Sequence, residues 1–285
     1  MGREQRGRLM VIGGAEDKTG DCAVLREFVS LAGGARARLG VIAAATGDAK
    51  GAGETYRTAF LRLGAAAVTV LGFQSRAAAD AASMEAALMG LSGVFFTGGD
   101  QLRITSIIGG TRADEALHRL YTAGAVIAGT SAGASVMSAT MIVAGDDDEG
   151  PKRCTVSMAP GMGFVEGIVI DQHFAQRGRI GRLLAAVAQN PSVLAVGIDE
   201  DTALVVEAGL RFRVIGSQTV TVLDGRTVEH TNASASSPDE PLAISCATLH
   251  VLPAGYGFDL VNRDIIQPRD GTNRDGHKPK WAGKG

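Results

Sequence analysis

An alternation in the first half of the chain constrains the fold most. Five short apolar runs, Leu9–Ile12, Leu39–Ala45, Ala66–Leu71, Gly93–Thr97 and Gly124–Ala128, recur with helix-length segments between them. Within each run hydrophobicity is continuous rather than alternating, as in strands buried on both faces. The segments between follow the helical period. In ETYRTAFLRLG, Tyr56, Phe60 and Leu63 share a face, and in DEALHRLYTAG, Leu117, Leu120 and Tyr121 do. Gly64 and Gly124 supply the stops. Strand–helix–strand alternation at this spacing predicts an α/β fold, a parallel sheet with helices on both faces. Ligands meet such sheets at the carboxyl ends of the strands. Those ends read GGAEDK (13–18), TGDAKG (46–51), TGGDQ (97–101) and GTSAG (129–133), all rich in glycine and polar residues.

The second half changes character. GIVIDQHF (167–174) reads as one more strand with a polar end. RIGRLLAAVAQNP (179–191) places Ile180, Leu183, Leu184 and Val187 on one helix face, with Pro191 at its end. From Ala195 on the pattern is that of C-terminal β-hairpins, ALVVE, RFRVIG and TVTVLDGRTVEH, with Asp224-Gly225 as a two-residue turn. TNASASSPDEP (231–241) is a loop by composition. No internal repeat or linker stands out, so one α/β domain is expected over residues 1–266. The polar, Gly/Lys-rich tail 267–285 is expected to be disordered.

Composition removes several function classes. A net charge of −2 gives no electrostatic footprint for nucleic acid or an anionic membrane. No apolar run reaches transmembrane length, and the four apolar residues after the basic N-terminus are too few for a signal peptide. Cys22, Cys154 and Cys246 are far apart and form no CxxC pair. That disfavours a disulfide framework or a structural zinc site and points to a reducing cytoplasm.

The stretch AGTSAGA (128–134) carries the sharpest chemical signal. A serine on a tight strand-to-helix turn projects its hydroxyl from the sheet edge, and Gly129 and Gly133 let the chain turn and pack closely. The N–H of Ala132, and that of Gly99 in TGGDQ, can face a developing oxyanion. On the pentapeptide alone a small-residue turn is as good an explanation; the preceding strand favours a nucleophile. Ser131 then needs a base. Of five histidines, His118, His230, His250, His277 and His173, only His173 follows a buried strand, among Asp171, Gln172, Arg177 and Arg179. The orienting acid could come from Asp146, Asp147, Asp148 and Glu149 or from Asp199, Glu200 and Asp201, and spacing does not choose between them.

Six blocks in order, VIGGAEDK, FFTGGDQLRI, GTSAGASVM, MAPGMGF, DQHFAQRGRIGRL and GIDEDTALVV, resemble the serine peptidase family of the cyanophycinases, which also holds aspartyl dipeptidase (peptidase E). Each block is modest, but six in this order from residue 11 to about 206 are specific, and GYGFDL near 255–260 is also similar. The resemblance implies a flavodoxin-like fold akin to class I glutamine amidotransferases, with the nucleophile on an elbow. It implies hydrolysis of cyanophycin, a poly-aspartate with arginine on each side-chain carboxyl, to β-aspartyl-arginine, by attack at the β-aspartyl carbonyl and without metal or cofactor. It matches Ser131 to the nucleophile and His173 to the base. Because the family's acid lies between the two in sequence, it favours Glu149 as the acid. Gln101, Asp171, Gln172, Arg177, Arg179 and Glu200 match positions associated with substrate binding. Asp171 or Glu200 would hold the substrate's arginine, and Arg177 and Arg179 its carboxylates. The other expectations kept open are an aspartyl or isoaspartyl dipeptidase, a non-catalytic binding module on the same fold, and a homodimer as the assembly. A glutaminase is disfavoured because that chemistry uses cysteine at the elbow, where this chain has Ser131.

Overall fold

The computed structural model describes residues 7–268 apart from Asp146, Asp148, Ala208 and Gly209. The chain begins β1 (Leu9–Ile12), α1 (Ala23–Leu31), β2 (Arg38–Ile42), α2 (Ala49–Arg62), β3 (Ala67–Leu71), α3 (Arg76–Ala79) and α4 (Ala82–Leu88). It continues β4 (Gly93–Phe96), α5 (Gln101–Ile108), α6 (Arg112–Thr122), β5 (Val126–Thr130) and the single turn α7 (Ala132–Ser135). Next come β6 (Thr140–Gly145), β7 (Val156–Pro160), β8 (Ile168–Gln172), α8 (Ile180–Gln189) and β9 (Leu194–Ile198). Then follow β10 (Thr202–Glu207), β11 (Arg211–Gly216), β12 (Thr219–Asp224), β13 (His230–Thr231), β14 (Ile244–Ser245), β15 (Thr248–Pro253), β16 (Gly257–Asp259) and β17 (Asp264–Ile266). The tail expected at the C-terminus lies, from residue 269 on, outside the described residues.

A nine-stranded sheet runs β17-β16-β11-β10-β1-β5-β4-β2-β3, and β1, β5, β4, β2 and β3 are its parallel part. The alternation of apolar strand and amphipathic helix thus yields the α/β fold it predicts. Side chains alternate across each strand. Met10 and Ile12 face α1 and α2, where Phe28, Tyr56 and Phe60 pack on Phe95. Leu9 and Val11 face the other way, into a core shared by α5, α6 and a second sheet, β15-β12-β9-β8. Side chains at helix starts satisfy free N–H groups: the Asp48 carboxylate accepts from Gly51 N at 2.9 Å and Asp100 from Leu102 N at 2.8 Å.

Three details differ from expectation. β5 starts and ends two residues later than the apolar run, because Gly129 and Thr130 still pair with Val11 and Ile12 of β1. Ser131 therefore follows the strand directly. β3 is partly exposed, since it forms the sheet edge. Asp224-Gly225 does not close a two-residue hairpin. Both edges of β12 are taken by β9 and β15, and the buried Asp224 carboxylate binds the Arg226 and Arg263 side chains.

Candidate active site

The elbow forms where β5 ends. Ser131 sits at φ 53° and ψ −116°, a conformation that costs a residue with a Cβ about 1–3 kcal/mol. The surrounding main chain holds it there. Ser131 N donates to Ile12 O at 3.0 Å, and Ser131 O accepts from Ala134 N and Ser135 N at 2.9 and 3.1 Å. Glycine is required at 133, where a Cβ would lie 2.4 Å from Phe96 O. The serine Oγ is 3.0 Å from His173 Nε2 and 3.5 Å from Gln172 Oε1.

His173 belongs to the second sheet. It is the first residue past β8, also at positive φ (49°), and its N–H donates to Gly13 O at 2.7 Å, which ties it to the end of β1. The imidazole rests on Gly14, where a Cβ would stand 2.3 Å from Cε1. β8 and β9 pair in parallel with Gln172 opposite Ile198, so the segments that follow them run side by side. Glu200 thereby brings Oε1 to 2.6 Å from His173 Nδ1. A carboxylate only accepts, so the Nδ1 proton faces Glu200 and Nε2 is left to accept from the serine hydroxyl. Asp199 braces this turn, accepting from Ala175 N at 3.0 Å and from Thr219 Oγ1 at 2.7 Å.

Gly98 lies against the serine, where a Cβ would stand 3.3 Å from Ser131 Cβ, and for the N–H groups of Gly99, which follows it, and of Ala132, which follows the serine, no acceptor is found among the described residues. Serine, imidazole and carboxylate in line are an arrangement that can carry out acyl transfer. In such a line a ring can take the hydroxyl proton as the oxygen attacks, and nearby main-chain N–H groups can hold the oxyanion.

Other expected site residues are placed differently. Glu149 is not the carboxylate on the imidazole. It is half exposed and pairs with Lys152 at 2.8 Å, while Glu200, expected on the substrate, occupies Nδ1. Asp146 and Asp148 lie outside the described residues, and Asp147 goes to Arg179 Nε at 2.7 Å. Asp171 and Arg179 are not free to hold substrate. They are buried and paired at 3.2 Å, and Arg179 also donates to Gln172 O at 2.8 Å. Arg182, buried on the inner side of α8, completes this cluster with Nε 2.9 Å from Asp171 Oδ2, an ion contact outside hydrogen-bond geometry. Burial pushes the Asp171 carboxyl up, against the pull of Arg182 and Arg179, and burial lowers Arg182. Asp147, more exposed, falls below the usual carboxylate range: burial opposes this, but the Arg179 hydrogen bond and the charges of Arg179, Arg182 and Arg177 outweigh it.

Gln101 uses its amide nitrogen on Ile142 O and Val143 O, 2.9 and 2.8 Å away, where β6 bulges against β7. Gln172, nearly buried, does face Ser131. Arg177 is exposed beyond the histidine and has no ion pair with a described residue. The sequence hides Arg182 within an apolar helix pattern; the one signal is a charged residue between the buried Gly181 and Leu183. Among the described residues no group of three or more His, Cys, Asp or Glu is placed to hold a metal ion.

The model of peptidase family S51 matches residues 9–214. The chain belongs to peptidase family S51. It is thus a peptidase, a hydrolase. Among its S51 relatives, a cyanophycinase from Nostoc sp. (strain PCC 7120 / SAG 25.82 / UTEX 2576) is 39% identical over 90% of this chain and 87% of that protein. One from Geminocystis herdmanii (strain PCC 6308) is 37% identical over 93% and 97%. Among solved structures, a peptidase from an acI-B1 Actinobacterium superposes with a TM-score of 0.67 over 90% of this chain and 98% of that one, at 21% identity. A putative peptidase E from Listeria monocytogenes EGD-e gives 0.51 over 74% and 98%, at 15% identity. These two likenesses show the shared fold. No helix among the described residues is long and apolar enough to cross a membrane.

Proposed function

We propose that the protein is a serine-type exopeptidase that degrades cyanophycin to β-aspartyl-arginine, with Ser131 as nucleophile, His173 as base and Glu200 as the orienting acid. The observation that carries this is the unbroken line Ser131 Oγ, His173 Nε2, His173 Nδ1 and Glu200 Oε1, with spacings of 3.0 and 2.6 Å. Relatives 37–39% identical and bearing the name cyanophycinase support the substrate.

The product decides which bond is cut. A dipeptide that keeps arginine on its side chain comes only from cleaving the main-chain amide between successive aspartates. Attack at the β-carbonyl would release free arginine, so the expected β-attack is replaced by attack at the main-chain carbonyl. His173 takes the Ser131 proton as Oγ attacks, and Glu200 stabilises the imidazolium. The N–H groups of Gly99 and Ala132 hold the oxyanion, and the ring returns the proton to the leaving amine. With removal from the C-terminal end of the polymer, that amine belongs to the departing β-aspartyl-arginine, and water, activated by the same ring, then frees the shortened chain from the acyl-enzyme. Arg177, the exposed cation beside the histidine, is the group to meet a substrate carboxylate. Asp171 and Arg179 act behind it by fixing Gln172. A reducing cytoplasm suits the three unpaired cysteines.

Incubating the purified protein with insoluble cyanophycin and identifying the released species by mass tests the proposal. Release of β-aspartyl-arginine, absent with Ser131→Ala, is expected. Release of free arginine, turnover of short aspartyl dipeptides alone, or undiminished release by Ser131→Ala overturns it.

A further inference from the structure

The GGAEDK segment after β1 has so far contributed only its two glycines. Its glutamate lies in an unusual place. The Glu16 side chain is fully buried, yet it carries a carboxylate into the packing between β1, α2 and β5. Oε1 accepts from the Tyr56 hydroxyl at 2.5 Å, and Oε2 accepts from Thr130 Oγ1 at 2.5 Å. Lys18 Nζ stands 3.1 Å from Oε1 and 5.2 Å from the centre of the Tyr56 ring. Such a group is costly to bury unless it is hydrogen-bonded and paired, and a well-packed apolar side chain would serve stability as well or better. A role beyond stability therefore has to be sought in what the carboxylate holds.

It holds Thr130, the last residue of β5 and the neighbour of Ser131. The strained serine stays put only if its surroundings over-determine it. The main-chain bonds of Ser131 fix its own N–H and C=O. The Thr130 hydroxyl fixes the residue before, and it is anchored to the same segment whose Gly13 and Gly14 seat His173. One carboxylate thus links the peptide that carries the nucleophile to the peptide that cradles the ring. Burial first, and then the charge and hydrogen bond of Glu16, push the Tyr56 phenol well up, so Tyr56 remains a donor.

We infer that Glu16 is a positioning residue: through Thr130 it sets the approach of Ser131 Oγ to His173 Nε2. This rests on Ser131 being the nucleophile. Steady-state kinetics on a soluble oligomer of β-aspartyl-arginine units test it, with Glu16→Gln, Thr130→Val, their combination, Thr130→Ser and Ser131→Ala. Glu16→Gln and Thr130→Val are each expected to lower kcat by about tenfold to a hundredfold, the cost of a small misplacement of reacting groups. KM should stay within about twofold, the split that marks loss in the transition state rather than in binding. The double variant should lose no more than the worse single within about twofold, because both break one link. Thr130→Ser, which keeps the hydroxyl, should recover most of the loss. If Glu16→Gln does not fold, Thr130→Val, in which only the hydroxyl is exchanged, carries the test. Unchanged kcat in Thr130→Val and Glu16→Gln, losses that multiply, or a rise in KM alone, with Ser131→Ala inactive, overturns the inference and leaves the function standing. Undiminished turnover by Ser131→Ala overturns both.

Discussion

On the serine's side of the crevice, position is held mainly by neighbouring main chain; on the histidine's side it is held by side chains far apart in sequence. Ser131 O closes the turn locally by accepting from Ala134 N and Ser135 N, Ser131 N reaches Ile12 O on the adjacent strand, and close-packed glycine keeps the elbow tight. Glu16 is a long-range side-chain tie to it. The histidine's turn depends on Asp199 reaching Ala175 and Thr219, on Glu200 reaching the ring, and on Asp171 joining two arginines. A turn assembled from distant carboxylates fails when any one of them is lost.

The comparison breaks first at the acid. Glu200→Gln should lower kcat by about a thousandfold or more, because the ring loses its tautomer and its counter-charge, while Glu149→Gln stays within about twofold because its carboxylate is a surface partner of Lys152. Equal losses, or the reverse order, would return the acid to the 146–149 loop. A second test concerns stability. Asp171→Asn leaves the buried Arg179 and Arg182 with Asp147 alone as their carboxylate among the described residues, so urea denaturation should show a loss of about 3 kcal/mol, the lower end of what breaking a buried ion pair costs. A shift below about 0.5 kcal/mol would match a surface substitution instead and would deny the cluster its structural role.

The smallest effect sharpens the link between the two sides. Asp17 is held down to about 2 by the N–H groups of Cys22, Gly20 and Thr19, and its own N–H donates to Asp201 at 3.0 Å. A depressed carboxyl contributes stability that is present above its unfolded value, near 3.8, and is lost as pH falls through the folded value. Urea midpoints between pH 4 and pH 2 should therefore fall less steeply in Asp17→Asn than in the native protein. Parallel curves would remove Asp17 from the acid response.

Local chemistry made the serine's side legible in the sequence. Continuous apolar runs, helix stops and the Gly-x-Ser-x-Gly turn state near-neighbour requirements, and β1, β4 and the elbow follow from them. Glu200 was not legible as the acid, because its contact with His173 depends on the parallel pairing of β8 with β9, a register that no local pattern encodes. The charges in DQHFAQRGR read as an open binding cluster for a related reason. Sequence shows Asp171 and Arg179 but not that α8 and the 147 loop bury them. The Asp224-Gly225 turn misled by the same route, since a turn signal does not say that both strand edges are already taken.

Ser131 and His173 come from different sheets, and β10, which seals the flank of β1, comes later in the chain than either. A nascent polypeptide that has completed only the segment through α7 bears the serine without its base. With His173 as the proposed base, proton transfer requires the two sheets docked and the histidine's N–H held by Gly13 O. Hydrolytic competence is thus a late product of assembly, and an unfinished or misdocked chain is a silent one.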